Sequence, residues 1–158
     1  MRSISIRVLS LCAIVLMAMY LPAPAQVNTA WVNTYDGNLD PPGFNLAQKL
    51  VVDYQGNIYV TGLSQTHAID YDYDIVTIKY LPDGTIAWMN IYDGSASISE
   101  KGTNLVVAES GEVYVAGQVY DYNIDRGYDF LIIKYLPNGD TAWTQQYDGD
   151  NIPPQTAH

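Results

Sequence analysis

The sequence predicts an all-β fold of repeated four-stranded antiparallel units, and three observations carry that reading. A motif opening on tryptophan recurs as Trp31-Val-Asn-Thr-Tyr35-Asp36-Gly37, Trp88-Met-Asn-Ile-Tyr92-Asp93-Gly94 and Trp143-Thr-Gln-Gln-Tyr147-Asp148-Gly149, at steps of 57 and 55 residues. Residues 50–94 match residues 105–149 at 22 of 45 positions, which chance does not produce. Beyond the first 25 residues no segment carries a useful helical period, while short apolar runs alternate with Gly, Pro and Asp, the pattern of strands and hairpins.

The elements follow in chain order. Residues 1–25 read as a secretory signal peptide: Arg2 and Arg7 open it, Val8 to Leu21 is an apolar run, and Ala23-Pro24-Ala25 supplies a small-x-small cleavage site. The run has 14 residues, short for a bilayer span. Leu11 precedes Cys12 where a lipoprotein signal wants a small residue, so lipidation is not expected. Residues 26–47 are a leading strand, Ala30–Tyr35, and a linker whose Asp40-Pro41-Pro42-Gly43 insertion explains the longer first step. Residues 48–94 form the first full unit, with strands at Lys49–Asp53, Asn57–Gly62, Asp74–Leu81 and Thr85–Tyr92. Gln55-Gly56 turns the first pair. Pro82-Asp83-Gly84 turns the last, because proline fixes φ and glycine accepts the positive φ that closes a hairpin. Residues 95–149 repeat the unit, and residues 150–158 begin a third.

The third strand is apolar on both faces: Ile75, Val76, Ile78, Tyr80 and Leu81, then Phe130, Leu131, Ile132, Ile133 and Tyr135. Such a strand needs a layer above and below. Four-stranded units with a period in the fifties and both faces covered describe blades of a β-propeller. A sandwich or solenoid of the same hairpins is the alternative. Closing a ring takes at least about four blades. Two blades plus a leading strand therefore read as a fragment of a longer propeller. A ring of identical chains and an open two-sheet sandwich are the competing expectations.

The run Gly-x-Ile/Val-Tyr-Val-x-Gly, followed by Tyr-Asp-x-x-x-Ile-Lys-Tyr-Leu-Pro-x-Gly-x-x-x-Trp-x-x-x-Tyr-Asp-Gly, resembles the bacterial SBBP beta-propeller repeats across residues 31–149. The resemblance implies a propeller fold in a secreted bacterial protein and implies no particular activity. Position 108 is alanine where the first unit has Asp53, so that acid is not required in every blade.

Charge and composition exclude several function classes. Net charge is -10, and losing Arg2 and Arg7 makes it more negative still. An acidic chain lacks the basic patch that nucleic-acid binding needs. The single cysteine leaves with the signal segment, which suits an oxidising compartment. The expected location is extracellular or cell-surface, with the periplasm as the other option. No membrane span is expected after cleavage.

Candidate sites are few. Asp121, Asn123, Asp125 and Asp129 place oxygen side chains at alternating positions around Gly127, a spacing that suits calcium, which takes 6–8 hard oxygen ligands. The plainer reading is a solvated acidic loop. The first unit offers Asp70, Asp72 and Asp74 at the matching place. Lys79 and Lys134 sit in apolar strands, either facing a central channel or packed on tyrosines beside an acid. The repeated Trp and Tyr residues read as packing between units more than as a sugar-stacking surface. No Gly-x-Ser-x-Gly elbow, His-Glu-x-x-His motif or phosphate-binding glycine loop occurs, and His67 and His158 are the only histidines. No catalytic or cofactor-binding residue is singled out. The expectation is a non-enzymatic binding or scaffolding module whose partner is a protein or glycan, with further blades in cis or self-association. A quinoprotein-like dehydrogenase and a carbohydrate-active propeller are the alternatives.

Overall fold

The computed structural model describes residues 28–37, 39, 43–67, 72–94, 99–120 and 127–147. Residues 1–25, where a signal peptide is expected, the loop residues Asp121, Asn123 and Asp125, and residues 150–158 lie outside the described residues. No described helix is long and apolar enough to cross a membrane.

Eight strands are formed: β1 (Asn45–Val52), β2 (Ile58–Ser64), β3 (Asp74–Tyr80), β4 (Ile86–Tyr92), β5 (Ser99–Val107), β6 (Val113–Tyr120), β7 (Tyr128–Tyr135) and β8 (Thr141–Tyr147). They make two four-stranded antiparallel sheets, each a meander in chain order, β1-β2-β3-β4 and β5-β6-β7-β8. The sequence repeat is thus a structural repeat, down to its irregularities. Bulges fall between Ala47 and Lys49 and between Lys79 and Tyr80 in the first sheet. The second sheet carries them at Gly102/Asn104 and Lys134/Tyr135, the matching positions.

Two elements differ from the sequence expectation. Strand β1 starts at Asn45 instead of Lys49, because Asn45, Leu46 and Ala47 pair with Ser64, Leu63 and Gly62 beyond the bulge. A bulge adds one residue and breaks the period-two alternation by which a strand is recognised. The leading segment 31–35 belongs to no ladder among the described strands. Its polar side chains bond across to the β3–β4 hairpin instead. Trp31 Nε1 donates to the Pro82 carbonyl at 3.1 Å, Asn33 Nδ2 donates to the Gly84 carbonyl at 3.2 Å, and the indole stacks on Tyr80 with ring centroids 5.9 Å apart.

The same seating joins the two sheets. On β4, Trp88 Nε1 donates to the Pro137 carbonyl at 3.2 Å, Asn90 Nδ2 donates to the Gly139 carbonyl at 2.6 Å, and the indole packs on Tyr135 at 5.8 Å between centroids. Between the sheets lies the larger apolar core. Tyr59 and Ile75 come from the first sheet, and Leu105, Val113, Val115, Val119, Leu131, Ile133 and Tyr135 from the second. Gly102 and Gly117 are paired neighbours on β5 and β6, and Ile75 fills the space that side chains there would take. A smaller core of Val76, Ile78 and Tyr80 occupies the opposite face of β3, under Tyr35.

Gly139 carries two demands at once. Its φ is +97°, and a Cβ there would lie 2.7 Å from Cγ of Trp88. Gly111 has a similar φ of +90°, but its Cβ would meet only Pro137, at 3.4 Å. Backbone strain alone costs roughly 1–2 kcal/mol for alanine at either position. Displacing a packed ring adds roughly 1–3 kcal/mol more. Gly139→Ala is therefore expected to lower the melting temperature clearly more than Gly111→Ala, as read by circular dichroism. Equal losses would mean that the indole seat adds nothing to stability.

Candidate functional site

Of the four residues expected to hold calcium, only Asp129 lies among the described residues. It is the second residue of β7, half-buried, and its Oδ2 accepts a hydrogen bond from Gln146 Nε2 at 2.8 Å. Lys79 and Lys134 are half-buried, with their ammonium groups 5.2 Å and 5.3 Å from the ring centroids of Tyr59 and Tyr114. Lys134 also pairs with Glu112 at 3.1 Å. Lys134 thus takes the packed, acid-paired role, and Lys79 the packing on tyrosine. The acid has moved between units: Asp53 ties the β1–β2 turn in the first, accepting bonds from Gln55, Asn57 and Tyr59, whereas Glu112 serves Lys134 in the second.

A different group of acids gathers at one end of the seam between the sheets. His67 follows β2, Asp72 and Asp74 lead into and begin β3, Asp93 follows β4, and Glu100 is the second residue of β5. Antiparallel pairing brings the first four to one end, since Ser64 faces Asp74 and Ile75 faces Tyr92. Glu100 is delivered from the second sheet, where its backbone N–H bonds to the Tyr73 carbonyl at 2.6 Å. His67 Nδ1 lies 3.8 Å from Asp72 and 3.7 Å from Asp74, and its Nε2 lies 3.8 Å from Asp93. The imidazole is half-exposed, whereas Asp74 and Glu100 are 0% exposed. All four carboxyl oxygens of that buried pair lack a hydrogen-bond partner.

An unpartnered buried carboxylate is costly, because burial strips its hydration and returns nothing. Burial pushes the Asp74 carboxyl up to about 6, helped by Asp93 and Asp72 and partly opposed by His67. Burial pushes Glu100 further, to about 8, with Asp74, Asp93 and Asp72 adding to the rise. The Gly94 backbone favours the charged form of Glu100 without completing a hydrogen bond of good geometry. His67, Asp72 and Asp74 can each present one donor atom within 4.8 Å of the others. Carboxylate oxygens with an imidazole nitrogen form the donor set of a divalent cation.

Sequence reasoning reached part of this group. Asp72 and Asp74 stood out as an acidic run, but Glu100 lies in a serine-rich stretch with no motif around it. Its counterpart in the first unit is Asn45, which is neutral and bonded to Ser64 at 2.6 Å and to the Gly43 carbonyl at 3.1 Å. The only available signal was an acid where the repeat has an amide.

The two raised carboxyls fix the sign of a pH dependence. The folded chain holds protons on Asp74 and Glu100 that the unfolded chain has already released. Their contribution to stability is full below the ordinary carboxyl range and is lost as pH rises through about 6 and then about 8. The groups facing them are His67, Asp72, Asp93 and the Tyr92 phenol. In buffer containing a chelator, the melting temperature is expected to fall as pH rises from about 5 to about 9. The Asp74→Asn, Glu100→Gln double variant is expected to flatten that fall. A wild-type melt that is level over this range would count against the buried acids.

No protein-family model matches this sequence, and no curated protein matches it either.

Proposed function

We propose that the chain is a secreted, non-enzymatic repeat protein of the β-propeller type, acting as a binding or scaffolding module through the faces of its sheets. The observation that carries this reading is the repeated tryptophan seat. Trp31 sits on the first β3–β4 hairpin, Trp88 sits on the matching hairpin of the second sheet, and Trp143 presents the same group on β8.

The two faces of that contact can be compared position by position. Ile75 of the first sheet is 0% exposed against the second sheet, while its counterpart Phe130 is 67% exposed. Leu105 of the second sheet is 1% exposed against the first, while its counterpart Leu50 is 57% exposed. Phe130, Ile132 and Trp143 therefore form a tail face, and Leu46, Leu50 and Val60 form a head face. The head face borders a cleft of about 370 Å³ beside Trp31 and Tyr35. Each repeats one half of a contact already made once inside the chain. The matching occupant is another unit of the same kind, on the same polypeptide or on a second copy. Stacking in this manner is the ordinary way repeat units bury their faces. The resemblance to SBBP repeats and the expected signal peptide support the same reading and an extracellular or cell-surface setting.

Light scattering on the purified protein tests it. The mass is expected to grow with concentration. Phe130→Asp at the tail and Leu50→Asp at the head should each weaken association by about 10-fold or more. Mixing the two variants should restore a dimer and nothing larger, because one intact head then meets one intact tail. A wild-type monomer at all concentrations, melting cooperatively, would overturn the proposal.

A further inference from the structure

We propose that His67, Asp72, Asp74, Asp93 and Glu100 form a divalent-cation site that ties β3 of the first sheet to β5 of the second. His67, Asp72 and Asp74 can each bring one ligand atom within 4.8 Å of the others. Asp93 lies 3.8 Å from His67 Nε2, and Glu100 is anchored to the same end of the seam by its N–H on the Tyr73 carbonyl. The two buried members, Asp74 and Glu100, have no hydrogen-bond partner for any carboxyl oxygen. One imidazole stands against four carboxyls and approaches only three of them. Glu100 has neither the imidazole nor any hydrogen-bond donor of good geometry on its carboxyl oxygens. Oxygens of this kind find their partner in bound cations, since buried charges are paired or coordinate metals.

The scaffold itself does not ask for these groups. Where the second unit has Glu100, the first has Asn45, satisfied by Ser64 and Gly43. Where the first unit has Asp74 buried, the second has Asp129, half-buried and bonded by Gln146. His67 and Asp72 have Tyr122 and Gly127 as their counterparts. Asp74 and Asp93 recur as Asp129 and Asp148, so the set arises at the seam because His67, Asp72 and Glu100, where the units differ, join them there. The His67 spacings of 3.7 Å and 3.8 Å to the carboxylates are also suitable, because two ligands on one metal ion lie roughly 3–4 Å apart. The half-exposed imidazole leaves the group open to solvent. The site shares no residue with the candidate calcium loop of Asp121, Asn123, Asp125 and Asp129, and it does not depend on how the sheet faces associate.

The ion's chemistry depends on whether the imidazole ligates. An all-carboxylate set suits Ca²⁺, whereas imidazole joining carboxylates suits Zn²⁺ or Mn²⁺. The test strips the protein with chelator, then titrates CaCl₂, MnCl₂ and ZnCl₂ separately by calorimetry at neutral pH, with a thermal melt at each end point. One ion is expected to bind near one equivalent and to raise the melting temperature by several degrees. Glu100→Gln and Asp74→Asn are each expected to weaken that binding by at least about 10-fold. Both should leave the metal-free protein as stable as the wild type or more so, because each removes a buried carboxyl whose oxygens have no hydrogen-bond partner. That combination separates a lost ligand from a lost fold. His67→Ala should weaken Zn²⁺ or Mn²⁺ by a similar factor and leave Ca²⁺ binding unchanged. Absence of binding by all three ions up to millimolar concentration would overturn the proposal. So would binding that survives both carboxylate substitutions but is lost in Asp125→Asn, which would place the ion in the other loop.

Discussion

The contact on which the rest of this structure depends is one indole resting on one hairpin. Proline and glycine shape the β3–β4 turn so that its carbonyls point outward, and those carbonyls accept the tryptophan N–H and the asparagine amide of the preceding unit. Local turn chemistry and the packing between units are thereby one feature. Glycine is needed at position 139 both for its φ and for the space the ring occupies. A turn of another type would still join two strands, but it would present no seat. The register between units follows, because the indole N–H is fixed to one hairpin carbonyl and the strands of each sheet are paired in order from there.

The apolar core then forms where that register places it. Ile75 enters the space above Gly102 and Gly117, and the apolar edges of β6 and β7 close around it. Burial of apolar area contributes roughly 25 cal/mol per Å², and most of it here lies between the sheets instead of within either. A lone sheet of this kind would show both faces to water. That is why two units are more than twice one, and why the outer faces resemble the inner ones in residue type while differing so much in exposure.

Much of the fold was legible because duplication wrote each element twice. The hairpin at Pro82-Asp83-Gly84 and the strand Asp74–Leu81 could be read from turn chemistry and apolar runs, and β3 ends within one residue of that expectation. The start of β1 was hidden by a bulge, which disturbs alternation without ending the ladder. The leading segment repeats the fourth-strand sequence, yet it makes no ladder among the described strands. Its motif specifies the tryptophan seat, which is satisfied with or without a strand alongside. The acids at the seam were legible only in part, for the opposite reason. Repetition points to scaffold, and Glu100 and His67 are where repetition fails. A position that departs from its repeat has no pattern to announce it, so only three-dimensional proximity brings Glu100 to Asp74.

The two fastenings of the seam lie at opposite ends of β3 and differ in kind. The seam's tryptophan, Trp88, faces Lys79 near the Tyr80 end of β3 and rests on the β7–β8 hairpin, using neutral groups whose contacts do not change with pH or ions. The acids are at the other end, at Asp74, separated by the length of a seven-residue strand, about 20 Å. Their contact is unfavourable when charged and bare, tolerable when protonated, and attractive around a cation. One end therefore sets where the sheets meet, and the other sets how firmly they stay together under given conditions. A residue pair meant only for stability would have been apolar, since replacing buried charges by well-packed apolar groups is often neutral or better. With Asp74 and Glu100 both buried and unpartnered at one end of the seam, the proposed site would make the junction responsive to solution conditions, which an apolar pair could not do.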